Sequence, residues 1–325
     1  MRLKTRSGVA VSVAASIVTS MATGIAIAQS YPSKLVRLVV GAPPGSMPDT
    51  VPRMLADKLA TFLGQQVIMD SRPGAAGLTS AQAVIRGAPD GYMVHVYSSA
   101  DTLAPLLNPG VVDPRDLTPV ATVASIPTVL VVNANNSFKS LDEIVKAARA
   151  QPGKLVASSA GYVTATHMTL ERFKGATGLD ILHVPAKGGV GALTELLAGR
   201  SDMYFGPLPA VMELVRGGKL RMLSNAAPKR SVLFPNVPTS LELGYKDTDY
   251  FFWIGFSVSS KTPAPIIQRL NRDINATVAD KDMAERMLKV GAEPLTMAMD
   301  ELQALVKTEL ENNAALIKTK GFRPE

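Results

Sequence analysis

The stretch Leu35-Val36-Arg37-Leu38-Val39-Val40-Gly41-Ala42-Pro43-Pro44-Gly45-Ser46-Met47-Pro48-Asp49, running on from Thr50 to Phe62, decides how this chain is read. Its first six residues form a short β-branched apolar run, the pattern of a buried strand. Gly41 to Asp49 is a turn, because proline removes backbone donors and glycine permits unusual dihedrals. Beyond it, Val51, Met54, Leu55, Leu59 and Phe62 recur at helical spacing, with Arg53, Asp57 and Lys58 on the other face. Asp49 or Thr50 is the expected N-cap, and Pro52 is expected in the first turn. A strand that feeds a helix through a glycine-containing loop collects free backbone N–H groups at one point. Such a point attracts anions through orphan donors and the helix dipole together. The expectation for this stretch is a bound carboxylate.

The same alternation continues outward. Gln66 to Met69 reads as a strand, Thr79 to Ile85 as a helix and Tyr92 to Tyr97 as a strand. Further on, strands are expected at 129–132, 155–157, 181–184, 202–205 and 220–224, with helices at 141–150, 165–174, 190–197 and 210–216. Phe251 to Ser259 is an apolar returning strand, and 264–278, 281–290 and 299–318 are helical. Strand–helix alternation predicts parallel βαβ units. The fold class expected is α/β, a two-domain periplasmic-binding-protein fold of type II-like architecture with a cleft between the domains. Residues 29–128 plus 252–325 form the first domain, and 129–251 are inserted as the second. The cleft is lined by loops at the C-terminal ends of strands.

Met1 to Gly8 carries Arg2, Lys4 and Arg6, Val9 to Ala28 is apolar and small, and Ala26-Ile27-Ala28 precedes Gln29. Together these predict a secretory signal peptide over residues 1–28 and a periplasmic mature chain. A membrane anchor is the alternative. The mature chain then carries +4, the formal +7 less the three leader charges. Its cations are dispersed without a basic stripe, which argues against nucleic acid as a partner. With no cysteine, disulfides, thiolate metal sites and a cysteine nucleophile are excluded.

Chemistry-bearing motifs are sparse. G-x-S-x-G, G-x-G-x-x-G and Walker A patterns do not occur, and neither do metal-ligand spacings, so no cofactor and no metal are expected. Lys187-Gly188-Gly189-Val190-Gly191 is read as a helix start needing small residues. His95 and His183 alternate with apolar residues in strands and are read as packed imidazoles. His167 lies in the first turn of a helix, where it either donates to an anion or holds its loop. Ser46, Ser98, Ser99, Ser159, Thr164 and Thr166 fall after strands or at helix starts, where neutral hydroxyls and amides suit reversible carboxylate binding, though capping explains each singly. Asp49 is expected to bond loop amides, or a ligand hydroxyl or ammonium, rather than a carboxylate.

The motifs Arg72-Pro73-Gly74-Ala75-Ala76-Gly77, Ala88-Pro89-Asp90-Gly91-Tyr92, Ser159-Ala160-Gly161 with Thr166-His167-Met168, Glu171-Arg172-Phe173-Lys174, Val184-Pro185-Ala186-Lys187-Gly188-Gly189 and Phe234-Pro235-Asn236-Val237-Pro238-Thr239 occur in that order. With them, residues 31 to 325 resemble the extracytoplasmic solute receptors of tripartite tricarboxylate transporters, often called Bug proteins. The resemblance implies a binding protein, not an enzyme, that closes on an organic carboxylate and delivers it to membrane permease subunits. It implies that Gly45, Ser46, Met47 and Asp49 on one side, and Ser159, Ala160, Thr164 and His167 on the other, grip one carboxylate, partly through waters. Ser98 is a further candidate contact, and Pro207 a further wall. The chain departs from the family pattern at Gly41-Ala42, where an aromatic is usual, at Ser46-Met47-Pro48, and at Ala186, where tyrosine is usual. Two rings become methyl groups or less, which suggests a roomier cleft for a bulkier acid such as an aromatic dicarboxylate. The open alternatives are that Tyr162 or Phe251 refills the space, and that the receptor serves a membrane histidine kinase rather than a permease.

Overall fold

A computed structural model describes residues 31–320. The expected signal peptide lies outside the described residues. In chain order the first part contains β1 (Val36–Val40), α1 (Met47–Leu63), β2 (Val67–Ser71), α2 (Leu78–Arg86), β3 (Met93–Ser98), α3 (Ala104–Leu107) and β4 (Leu117–Ile126). The middle contains β5 (Thr128–Asn133), α4 (Leu141–Ala150), β6 (Val156–Ser159), α5 (Ala165–Thr177), β7 (Leu182–Pro185), α6 (Gly188–Leu197), β8 (Met203–Pro207), α7 (Leu208–Arg216) and β9 (Leu220–Asn225). The last part contains β10 (Phe252–Ser259), α8 (Ala264–Ala279), α9 (Lys281–Lys289), β11 (Glu293–Pro294) and α10 (Met299–Lys320).

These strands make two sheets, ordered β11–β4–β10–β3–β1–β2 and β7–β6–β8–β5–β9. The βαβ units are parallel as expected: β1 pairs β2 and β3, and β6 pairs β7 and β8. Both sheets are nevertheless mixed. The returning strand β10 runs antiparallel to β3 and β4, and β5 runs antiparallel to β8 and β9. Strand β4 is absent from the sequence reading. Its Pro119 and four-residue share of alanine and threonine disguise it, since proline is confined to edges and bulges. The register of β4 against β10 shifts between Phe256 and Ser257, beside the Ser257–Pro119 pair.

Helix α1 shows why the first loop sits where it does. Val51, Leu55, Leu59 and Leu63 are buried, packing on β1 and against Ile267, Leu270 and Ile274 of α8. Phe62, expected on that face, is 38% exposed, and Leu63 takes its place. The helix stops at Gly64, whose φ of 72° closes the turn while its N–H reaches Ala60 O at 2.9 Å. It begins earlier than Asp49 or Thr50. Ser46 is the N-cap, and Pro52 lies inside the helix rather than in its first turn. The N–H that Pro52 lacks would have met the Pro48 carbonyl, so one intrahelical bond is missing from the second turn.

The chain passes between the sheets at Pro127 and again through residues 226–251. A third link lies beside them. Leu103, Met168 and Tyr250 pack together with Leu107, Val163, Ala165 and the end of α10. There the indole N–H of Trp253 donates to Glu309 at 2.9 Å, Thr102 meets Glu309 at 3.0 Å, and Asn313 donates to Thr102 at 3.0 Å. Arg172 of α5 donates to Asn313 at 3.2 Å and lies over the Tyr250 ring at 4.8 Å.

Candidate functional site

Two loops occupy equivalent places, each after the first strand of a parallel unit and each opening a helix. The first, Gly41 to Ser46, is held by a charge. Asp49 is buried, and its carboxylate accepts from Gly45 N at 3.0 Å and from Arg53 at 2.7 Å. Burial works to raise this carboxyl, but the bonds from Arg53 and the Gly45 amide outweigh it and hold it below the ordinary 3.8. Asp49 therefore bonds a loop amide, as its chemistry suggests. Ser46 caps α1 by backbone position alone, and its hydroxyl donates back to Pro43 O at 2.6 Å. Gly45 has a φ of 79°, a conformation open to glycine at no cost. Met47 is half-buried against the core below.

The second loop, Ser159 to Thr164, is held by neutral groups. Thr164 caps α5, accepting from His167 N, and donates to Gly161 O at 2.8 Å. Ala160 N donates to Thr166 at 2.9 Å, and Ser159 bonds Gly161 N and His183 Nε2, the latter at 2.7 Å. His167 Nδ1 accepts from Val163 N at 2.9 Å, which fixes it as the unprotonated nitrogen and assigns this histidine to holding the loop. That bond supports a strained residue, since Val163 is β-branched with a φ of 57°. The His167 and His183 rings stack at 4.0 Å, 12° from parallel, and Tyr162 stands edge-on to both. Burial lowers the His183 imidazole, the Glu171 carboxylate pulls it up and Lys174 pushes it down, for a net shift below 6.5.

Ser46 and Thr164 thus spend their hydroxyl hydrogens within their own loops, and Ser98 spends its own on Asp101. A hydroxyl has one hydrogen. What the loops present to an anion is backbone N–H at the starts of α1 and α5. Pro207 stands elsewhere, at the end of β8 opposite Thr128, beside the Pro127 crossing.

Between the first loop and the turn after β3 lies a cavity of about 220 Å³. Ala42, Pro43, Pro48 and Phe252 form its apolar walls, and Ser98 stands on its rim. Phe251 does not refill the cleft, because it is buried in the core with Tyr97 and Trp253. Phe252, one residue on, is the ring that reaches the cavity. Tyr162 is 54% exposed on the loop after β6 of the second sheet.

The cavity's inner end is polar, which the reading of His95 as a packed imidazole does not reveal. His95 Nε2 lies 2.9 Å from Asp101, and its Nδ1 lies 3.4 Å from Ser80 Oγ. Asp101 also accepts from Ser98 N at 2.8 Å and Ser98 Oγ at 3.0 Å, closing a capping box. All four side chains are buried. A signal did exist: an inward-facing strand histidine requires a partner, and Asp101 is six residues on. The order Ser80–His95–Asp101 has the outline of a hydrolytic triad, but the Ser80 hydroxyl donates to Gly77 O at 2.7 Å. A Cβ at Gly41 would fall 2.4 Å from Ser80 Oγ and 2.6 Å from Gly77 Cα. The first loop therefore has no room for a side chain at Gly41, where it departs from the family pattern.

The family described as "Tripartite tricarboxylate transporter family receptor" matches residues 51–322. The chain belongs to this receptor family. It is 33% identical over 300 residues to Protein BugT of Bordetella pertussis, covering 91% of this chain and 92% of that one. It is 32% identical over 291 residues to a Pseudomonas protein described by its place between tcbD and tcbE, covering 89% and 87%. Among solved structures, an R. palustris protein with adipate superposes at a TM-score of 0.73 and 28% identity, covering 91% of this chain and 100% of that one. A TctC solute binding protein from Polaromonas without ligand gives 0.82 at 23% identity, covering 89% and 100%, which shows the shared two-domain fold. The family is one of periplasmic substrate-binding receptors, not enzymes. Among the described residues no helix is long and apolar enough to cross a membrane.

Proposed function

We propose that this chain is a periplasmic receptor that captures an organic carboxylate between two domains and delivers it to the membrane permease of a tripartite tricarboxylate-type transporter. Residues 29–128 with 252–325 form one domain and 129–251 the other. One carboxylate of the ligand is received between Gly45, Ser46, Met47 and Asp49 on one side and Ser159, Ala160, Thr164 and His167 on the other, with the amides that open α1 and α5 as the donors, the Gly45 and Ala160 amides being given to the scaffold itself. Ser98 and Pro207 complete the walls.

The observation that carries this reading is the cavity of about 220 Å³ beside the first loop, apolar along its walls and polar at its inner end. A methyl group at Ala42 and a ring at Phe252 leave space for a flat or bulky body, which favours an aromatic dicarboxylate. Solved relatives carry adipate and malate, both aliphatic dicarboxylates, in proteins 28% and 26% identical to this chain.

A thermal-shift screen of the chain from Gln29 onward tests the reading. A ligand that binds only the folded state adds about 2.7 kcal/mol at a hundred times its dissociation constant. Benzene dicarboxylates are expected to raise the melting temperature more than succinate-sized acids. Larger shifts with the small acids would remove the aromatic preference, and no shift with any acid would remove the carboxylate reading.

A further inference from the structure

A further helix start lies beside the second loop. Strands β6 and β7 are parallel neighbours, so the loops after them share the sheet edge where open α/β sheets take ligands. The two loops are tied together: Ala186 N donates to Ser159 O at 2.9 Å, and Gly188 N donates to Ala160 O at 3.1 Å. Helix α6 opens there through Lys187-Gly188-Gly189-Val190-Gly191. Gly188 turns the chain with a φ of 83°, a conformation that favours glycine. Its N–H is spent on Ala160, so Gly189 and Val190 carry the amides that a helix start leaves open. Lys187 is exposed at the N-cap, where its side chain caps nothing. The one carboxylate of α6, Glu195, is taken by Arg200 at 2.6 Å instead.

Under this turn lies an orphaned donor. Tyr204 of β8 is fully buried, and its hydroxyl has no hydrogen-bond partner among the described residues. A Cβ on Gly189 would meet that hydroxyl at 3.6 Å, so it is aimed at the start of α6. Burial pushes the phenol up to about 12, which keeps its proton in place for donation. A buried hydroxyl left unpaired is costly, and an acceptor seated at the helix start relieves that cost.

We propose that the start of α6 is the subsite for the second carboxylate of the ligand, with the Gly189 and Val190 amides, the Lys187 ammonium and the Tyr204 hydroxyl as its donors. Gly188 and Gly189 put no side chain between the turn and an anion, and the helix dipole favours the charge. The starts of α5 and α6 flank the sheet edge from opposite faces. Ala157 of β6 packs with Leu170 and Phe173 of α5, whereas the next residue, Ser158, donates to Ala192 O of α6. A dicarboxylate can therefore bridge the two starts with its body turned towards the first loop.

The inference rests on the reading of the cleft as a carboxylate receptor, and paired ligands separate the two. The chain from Gln29 onward is titrated calorimetrically at pH 7 with benzene-1,4-dicarboxylate against benzoate, and with adipate against hexanoate. In whichever pair binds, the dicarboxylate is expected to be tighter by about tenfold or more, the worth of its extra charge-assisted bonds. Tyr204→Phe and Lys187→Gln are each expected to cut that ratio by about threefold or more. Tyr204→Phe is also expected to keep or raise the melting temperature, because the hydroxyl it removes has no partner in the protein. A tyrosine with only a structural role would lose stability and leave the ratio alone. A wild-type ratio near one, or a ratio that either substitution leaves unmoved, overturns the subsite and leaves the receptor reading intact. Binding of none of the four acids overturns both. Should Tyr204→Phe fail to fold, the surface substitution Lys187→Gln decides alone.

Discussion

The two helix-opening loops solve one geometric task with opposite chemistry. In the first, a buried carboxylate gathers the Gly45 amide and Arg53, so its shape depends on a negative charge. In the second, the amides of Ala160, Gly161 and Val163 are given to hydroxyls and a ring nitrogen, and two imidazoles stack beside them. The difference teaches that the loops answer to different conditions. Asp49 titrates below the ordinary carboxyl value and His183 below the ordinary histidine value, so the second loop meets its acid limit first.

The largest break in the comparison is Asp49→Ala, which leaves the Gly45 N–H and Arg53 without their shared acceptor. A loss of about 2–3 kcal/mol is expected in denaturant unfolding, with the second loop undisturbed. A loss under about 0.5 kcal/mol would show that the charge is dispensable.

Acid separates the loops next. The folded His183 is held below 6.5, so its neutral form contributes stability that is present above 6.5 and declines as pH falls from there towards the folded value. Asp49, held below 3.8, contributes stability that is present above 3.8 and is lost only below it. Protection of the Gly161 amide, which reaches His183 through Ser159, corrected for intrinsic exchange rates, should therefore drop as pH falls below 6.5, by at most about tenfold per unit. The Gly45 amide should stay protected until below pH 4. Parallel loss at both loops would erase the distinction.

Capping gives the two smallest effects. Thr164→Ala removes a true side-chain cap and should cost about 1 kcal/mol, whereas Ser46→Ala, where the hydroxyl caps nothing, should cost a few tenths. Equal costs, read from midpoints in urea, would mean that Ser46 supports its loop through Pro43 as strongly as Thr164 caps α5.

Most of the fold was legible because it is periodic. Ser140 before Leu141 marks the start of α4 to the residue, and its hydroxyl does accept from Glu143 N. Strand β4 was hidden by Pro119, which sits where the described pairing with β11, at Ala124 and Ser125, does not reach. The loops of the candidate site were legible as strand-to-helix turns, but the destination of each hydroxyl hydrogen was not. That depends on which carbonyl the loop's own backbone turns towards the hydroxyl, a conformational detail that residue spacing does not carry. The corner of Ser80, His95 and Asp101 was legible only through the need of a buried His95 for a partner, not in which residues answer it. Its members sit on a helix, a strand and a turn, and Gly41 is small because of Gly77 and Ser80 rather than because of its own turn.

The position of β10 has a kinetic consequence. This strand is hydrogen-bonded between β3 and β4, yet the whole of the second sheet, β5 to β9, comes between them in the chain. Until Ser259 has left the ribosome, both flanking strands keep open edges and the first sheet stays in two pieces. Loop closure over such a separation is slow. On the proposed periplasmic location this delay is useful: the nascent polypeptide stays threadable while it crosses the membrane, and its last quarter completes the sheet on the far side.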